Sequence, residues 1–128
     1  MTNGAHSVPV VLVVEDNELL KFFMVNLVRL AGFTAIPASN ADEALAILES
    51  RSDIALLITN VVMRDGMNGV SLAHAVDKRW PSVKIIVVSD LLALSECDLP
   101  MKSLFFTKPY HDEEMLFEIR SLIDPQPG

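Results

Sequence analysis

The stretch Ile54-Ala-Leu-Leu-Ile-Thr-Asn-Val-Val-Met-Arg-Asp-Gly-Met-Asn-Gly69 constrains the fold more than any other part of the chain. An apolar run stops abruptly at a polar residue, Asn60, and passes into a glycine-bearing loop. In an open α/β sheet the ligand crevice lies beyond the carboxyl ends of the strands, so a strand that ends this way delivers its last side chain to the crevice floor. Pro9–Val14 and Val83–Val88 are runs of the same kind, continuous, rich in β-branched residues and too short for a buried helix. They read as central parallel strands covered on both faces.

The segments between them have helical period. From Glu18, residues Leu19, Leu20, Phe23, Met24, Leu27 and Leu30 form one stripe that is expected to face the core, with Gly32 as the stop. Ser39 or Asn40 can cap a second helix whose stripe is Ala41, Ala44, Leu45 and Leu48, with Glu43 placed as in a capping box. Val70, Leu72, Ala73, Val76 and Trp80 describe a third helix that Pro81 ends. Met115, Leu116, Ile119, Leu122 and Ile123 describe the last one. Phe33–Pro37 is a short strand whose proline suits a sheet edge, and Leu104–Thr107 is a fifth strand. Leu91–Met101 carries mixed signals, so a helix there is short or frayed. Residues 1–8 read as a flexible leader, 9–123 as one domain and 124–128 as a tail.

Alternating strands and helices with short links give an α/β three-layer sandwich around a doubly wound parallel sheet, since right-handed crossovers leave few other solutions. With the proline-bearing strand at an edge, five strands take the order 2-1-3-4-5, with helices on both faces. That order makes strands one and three neighbours and brings Glu15, Asp16 and Asn60 to the switch point. Ser89 and Lys108, closing strands four and five, face the same crevice.

Composition narrows what such a crevice serves. A length of 128 residues with 51% hydrophobic content suffices for one core without disulfides. A formal net charge of -7 opposes binding to nucleic acid or to anionic lipid, and favours a cationic ligand or basic partner. No run is long enough to cross a bilayer, and the single cysteine, Cys97, forms no internal disulfide, so a reducing cytoplasm is the expected compartment. His6, His74 and His111 have no second ligand at metal-binding spacing.

Glu15 and Asp16 are hard oxygen ligands of the kind Mg²⁺ takes. A lysine charge and a serine hydroxyl opposite them suit the oxygens of a transferring phosphoryl group. The acceptor would have to stand at Asn60, and a carboxamide is a very poor nucleophile. Each residue also has a plainer reading. The acids suit a helix start, Asn60 a loop cap, Lys108 an ion pair with Glu15 or Asp16, Ser89 a strand end and Phe105 the core.

Val14-Glu-Asp16, the Thr-Asn-Val-Val-Met63 turn, Val88-Ser89 and Thr107-Lys-Pro109, at these intervals, resemble the receiver domain of two-component response regulators over about residues 9 to 123. The resemblance implies a CheY-like, flavodoxin-like fold and a signalling rather than enzymatic role. It implies that Glu15 and Asp16 are the acidic metal pair, that Asn60 holds the phosphoacceptor position and that Val62 offers its backbone carbonyl to Mg²⁺. It also implies Ser89 as the switch hydroxyl, Phe105 as the switch aromatic and Lys108 as the phosphoryl contact before a cis peptide to Pro109. Partners are then a sensor histidine kinase, a phosphotransfer protein or a downstream target. They dock on the face made by the Leu91–Met101 segment, the fifth strand and the last helix.

This chain departs from the family pattern at Asn60, at Arg64, where a proline is common, and at Asp90, where a small residue is usual. Three departures together point to a naturally altered, stand-alone receiver that works by binding, with weak Mg²⁺ affinity and no organic cofactor. The alternatives are an ordinary phosphorylated receiver carried here as an Asp-to-Asn variant, and a small flavodoxin-like enzyme or nucleotide binder. The latter lacks a glycine-rich phosphate loop after strand one.

Overall fold

The structure is a computed structural model and describes residues 8–63, 66–90 and 98–124. Nine elements follow in chain order: β1 (Val10–Val14), α1 (Glu18–Leu30), β2 (Thr34–Ala38), α2 (Ala41–Ser50), β3 (Ile54–Asn60), α3 (Gly69–Arg79), β4 (Lys84–Ser89), β5 (Leu104–Thr107) and α4 (Asp112–Ile123). The leader up to residue 7, the Leu91–Cys97 part of the proposed short helix, Arg64, Asp65 and the tail after Asp124 lie outside the described residues.

All strand pairs are parallel, in the order β2-β1-β3-β4-β5 expected from the sequence. Pro37 does sit in the edge strand β2, opposite Val13. Alternation along each strand divides the core in two. Leu12, Val14, Leu57, Ile85 and Val87 face α2 and α3, where they meet Ala44, Leu48, Leu72 and Val76. Val11, Val13, Leu56, Ile58, Ile86 and Val88 face α1 and α4, where they meet Met24, Val28, Met115 and Ile119. A strand apolar at every position is thus accounted for by two covered faces.

Three of the helices begin with an asparagine cap: Asn17 accepts from Leu20 N at 3.0 Å, Asn40 from Glu43 N at 2.9 Å and Asn68 from Ser71 N at 2.9 Å. Of the two candidate caps for α2, Asn40 is the one used. Glu43 reaches back to the Ser39 N–H at 2.7 Å, one residue further than a standard capping box. Asn40→Ala is expected to cost about 1 kcal/mol, because the Glu43 N–H at the start of α2 loses its side-chain acceptor. Urea unfolding measures it as a lower midpoint at unchanged slope.

The expected core face of α1 is corrected by the structure. Met24, Val25, Leu27 and Val28 are buried, whereas Leu19, Phe22, Phe23 and Leu30 are 61%, 59%, 56% and 70% exposed. Only Glu18, Lys21, Asn26 and Arg29 are polar in this helix of 13 residues. A helix apolar nearly all round has no phase that periodicity can read. Its orientation is set instead by the sheet beneath it and by Arg120 of α4, which donates to the Leu30 and Ala31 carbonyls.

Candidate functional site

Strand register builds the site. Val14 is level with Thr59, and Asn60 with Val88, so Glu15 emerges beside Asn60 where β1 and β3 end. Ser89 is level with Thr107, and the Lys108 N–H donates to the Ser89 carbonyl at 2.8 Å, which carries the lysine to the same sheet end. The Lys108–Pro109 peptide is cis.

Glu15 is largely buried and held on three sides. Its backbone N–H donates to Ala38 O at 3.0 Å, and its carboxylate accepts the Asn17 N–H at 2.9 Å. The Lys108 ammonium stands 3.8 Å from the other oxygen, an ion pair too long for a hydrogen bond. Burial raises the Glu15 pKa above its ordinary 4.5, and Asp16 adds to the rise, against the lowering effects of the Asn17 N–H and Lys108. The folded chain therefore binds more protons than the unfolded chain in a window that opens near 4.5, and stability falls as pH rises through it. Glu15→Gln should raise the thermal midpoint near neutrality and leave it unchanged in acid below that value, as calorimetry at the two pH values would read.

Asn60 is tied to its own loop. Its Nδ2 donates to the Val62 carbonyl at 2.7 Å, and the Thr59 hydroxyl donates to the Asn60 carbonyl at 3.0 Å. The loop then turns back under α3: Val61 N–H donates to Val88 O at 3.0 Å, and Gly69 N–H to Val61 O at 2.8 Å. Gly69 is pressed against this turn so closely that a Cβ on it would strike the Asn60 carbonyl oxygen and lie 2.9 Å from the Val61 Cα.

Glu15, Asn60 and Lys108 line one groove of about 620 Å³ that runs along α1. Asp16 is next in chain to Glu15 and half-buried, while Ser89 is fully buried at the end of β4. Neither of these lines the groove. Phe105 packs, partly buried, on the α2 and α3 side of the sheet. Asp90 is exposed, and Arg64 lies outside the described residues. His74 Nε2 sits 2.7 Å from the Asp98 carbonyl, and Lys108 pairs with Glu15, as the plainer readings allow.

Sequence reasoning passed over Tyr110. It lines the groove, meets Phe106 edge-on at 5.7 Å, and has its phenol pushed up to about 12 by burial and by the charges of Asp112 and Glu15. Nothing in a lone tyrosine after Lys-Pro signals this, because the groove that it lines is shared with residues far away in sequence, Glu15 among them.

Two carboxylates gather here, and among the described residues no group of three or more His, Cys, Asp or Glu side chains does. The Val62 carbonyl, which the resemblance assigns to a metal, already accepts the Asn60 amide. This donor set does not fit a tightly held Mg²⁺, which needs near-octahedral oxygen ligands free to meet it.

A doubly wound sheet with acids, an amide, a hydroxyl and a lysine at its carboxyl end defines a small α/β domain whose chemistry sits at the switch point. Residues 11–120 match the response regulator receiver domain, and the chain belongs to that family. It is a receiver domain, the module of response regulators in two-component signalling. A cyclic di-GMP phosphodiesterase of Thermotoga maritima is 30% identical over 112 residues, 85% of this chain and 29% of that protein. The chain spans under a third of the length of the curated relatives it matches. A response regulator receiver protein of Sinorhizobium medicae superposes with a TM-score of 0.85 at 19% identity, covering 93% of this chain and 97% of that one. The response regulator TrrA of Thermotoga maritima, in complex with Mg(2+)-BeF, superposes with a TM-score of 0.77 at 22% identity, covering 89% and 98%. Among the described residues no helix is long and apolar enough to cross a membrane.

Proposed function

We propose that this chain is a receiver of altered chemistry that signals by contact, binding a sensor histidine kinase, a phosphotransfer protein or a downstream target without being phosphorylated at Asn60. The observation that carries this reading is the 2.7 Å hydrogen bond from Asn60 Nδ2 to the Val62 carbonyl. A neutral amide is a poor nucleophile toward phosphorus. Here it also donates to the carbonyl that the resemblance assigns to Mg²⁺, so the end of β3 is tied to Val62 without metal or phosphate. Lys108 and Glu15 answer each other's charge in the same resting arrangement. Mg²⁺ then binds weakly, if two carboxylates are all it finds.

The docking face in this reading is built on β5 and α4, and a net charge of -7 favours a basic partner. Contact itself is the signal, so the reading needs no output domain. Incubation with Mg²⁺ and acetyl phosphate, followed by intact mass measurement, is expected to leave the chain unmodified. A stable acyl phosphate on any residue of the groove overturns the reading. Affinity for a phosphotransfer protein is expected to be the same with and without the phosphodonor.

A further inference from the structure

The turn into α3 contains a chemically labile dipeptide. Of the chain's asparagines only Asn3 and Asn68 precede glycine, whereas Asn17, Asn26, Asn40 and Asn60 precede residues whose side chains crowd the next amide. An asparagine before glycine loses ammonia when the glycine nitrogen attacks the side-chain carboxamide, since no Cβ shields that nitrogen and the glycine backbone bends freely. Two separate demands fix such a pair at 68–69. Asn68 caps α3, its Oδ1 accepting the Ser71 N–H at 2.9 Å, and residue 69 has to be glycine because a Cβ there would strike the Asn60 carbonyl oxygen. In the closed fold the same surroundings hold the reaction off. The attacking nitrogen must shed its proton and swing to Asn68 Cγ, yet the buried Gly69 N–H donates to Val61 O at 2.8 Å. On the other side of that peptide the Asn68 carbonyl accepts the Leu72 N–H at 3.0 Å. The reacting peptide is thus held by α3 on one side and by the turn after Asn60 on the other.

We propose that Asn68–Gly69 is a covalent modification site that the closed turn keeps latent, and that opening of the turn after Asn60 releases it. Once the Gly69 N–H leaves Val61, its nitrogen bonds to Asn68 Cγ, the Cγ–Nδ2 bond breaks, and a succinimide forms with loss of ammonia. Water then opens the ring. Attack at Cγ breaks the new C–N bond and leaves an aspartyl residue, while attack at the main-chain carbonyl breaks the original C–N bond and leaves an isoaspartyl one. Overall, water enters and ammonia leaves, with no oxidant or other reactant. The two products differ in consequence. Aspartate caps a helix as well as asparagine does, and its charge suits the helix N-terminus, so the aspartyl product closes the turn again. The isoaspartyl product routes the main chain through Cβ and Cγ, so Gly69 cannot regain both the Val61 bond and its seat against Asn60. An opening event beside Asn60 is thereby written into the backbone. This goes beyond the reading of Asn60, and its readouts need no phosphodonor, metal or partner.

The full chain is held in mildly alkaline buffer, with and without guanidinium chloride, and sampled by peptide mapping. The map reads the mass gained when NH₂ becomes OH, and carboxyl methyltransferase labelling reads the isoaspartyl product. In denaturant Asn68 and Asn3 are expected to react at similar rates. In native buffer Asn68 should react more slowly than in denaturant by about tenfold or more, the measure of how rarely the turn opens. Asn60→Ala, which removes the bond to Val62, should speed the native reaction at Asn68 by about threefold or more, whereas Asn40→Ala, at the cap of α2, should leave it unchanged. Asn68→Ser keeps a capping hydroxyl and should abolish the mass gain in that peptide. Equal rates in native buffer and denaturant, equal acceleration by the two alanine variants, or acceleration by neither would each overturn the proposal.

Discussion

Asn60→Asp is expected to take up a phosphoryl group from acetyl phosphate in the presence of Mg²⁺, while the parent chain takes up none. The substitution changes one atom and reverses three physical facts. It replaces a very poor nucleophile with a carboxylate. It adds a third acid to Glu15 and Asp16, giving a hard cation the charge it lacks here. It also puts an acceptor oxygen where Nδ2 now donates to Val62 at 2.7 Å, which frees that carbonyl and opens the loop. Loss of this bond, with two oxygens left facing each other, should cost about 1–3 kcal/mol in a chelator. Mg²⁺ should restore much of that cost by binding only the folded state. Intact mass reports the labelling. Thermal unfolding with and without Mg²⁺ reports the metal, whose stabilising effect should be clear in the variant and slight in the parent. A variant that binds Mg²⁺ but stays unlabelled would shift the block to Asp90, exposed just past β4, or to Arg64.

Gly69→Ala should be the most damaging single methyl in the site, costing about 3 kcal/mol by overpacking. The obstruction is backbone rather than side chain: the Asn60 carbonyl and the Val61 Cα, neither of which can swing away. Asn60 cannot retreat, because it belongs to β3, which is paired with β1 on one side and β4 on the other. Nor can α3 lift without giving up the Gly69 N–H bond to Val61 O. A fall in thermal midpoint of roughly 10 °C is expected for a domain of this size. Gly66→Ala is the control. Its φ of +77° disfavours a side chain, yet open space surrounds its Cβ, so its cost should be only about 1 kcal/mol. Equal losses at the two positions would show that Gly69 matters for conformation rather than for room.

Strand order was legible because it depends on period and punctuation. Runs such as Val10–Val14 have no polar face to leave in water, and Pro37 points to an edge, so little freedom remained in arranging the sheet. The convergence of Glu15, Asn60 and Lys108 on one groove followed from the same order, since parallel strands end on one side. Two features were hidden for a shared reason. The facing of α1 and the place of Tyr110 depend on which neighbours close over them, and neither an all-round apolar helix nor an isolated tyrosine carries that information in its own pattern.

The chain's order of apolar runs, helical stripes and strand-end polar residues determined by itself that five parallel strands would form and that acids, an amide and a lysine would meet at one end. Only the tertiary structure decided what those groups do to one another at rest. Bonds of about 3 Å between Asn60 and Val62, or a 3.8 Å approach of Lys108 to Glu15, depend on the last ångström of loop geometry. The opening of the groove beside α1 depends on the rotation of a helix about its own axis, and that rotation is settled by packing against the sheet and α4 rather than by the helix's residues.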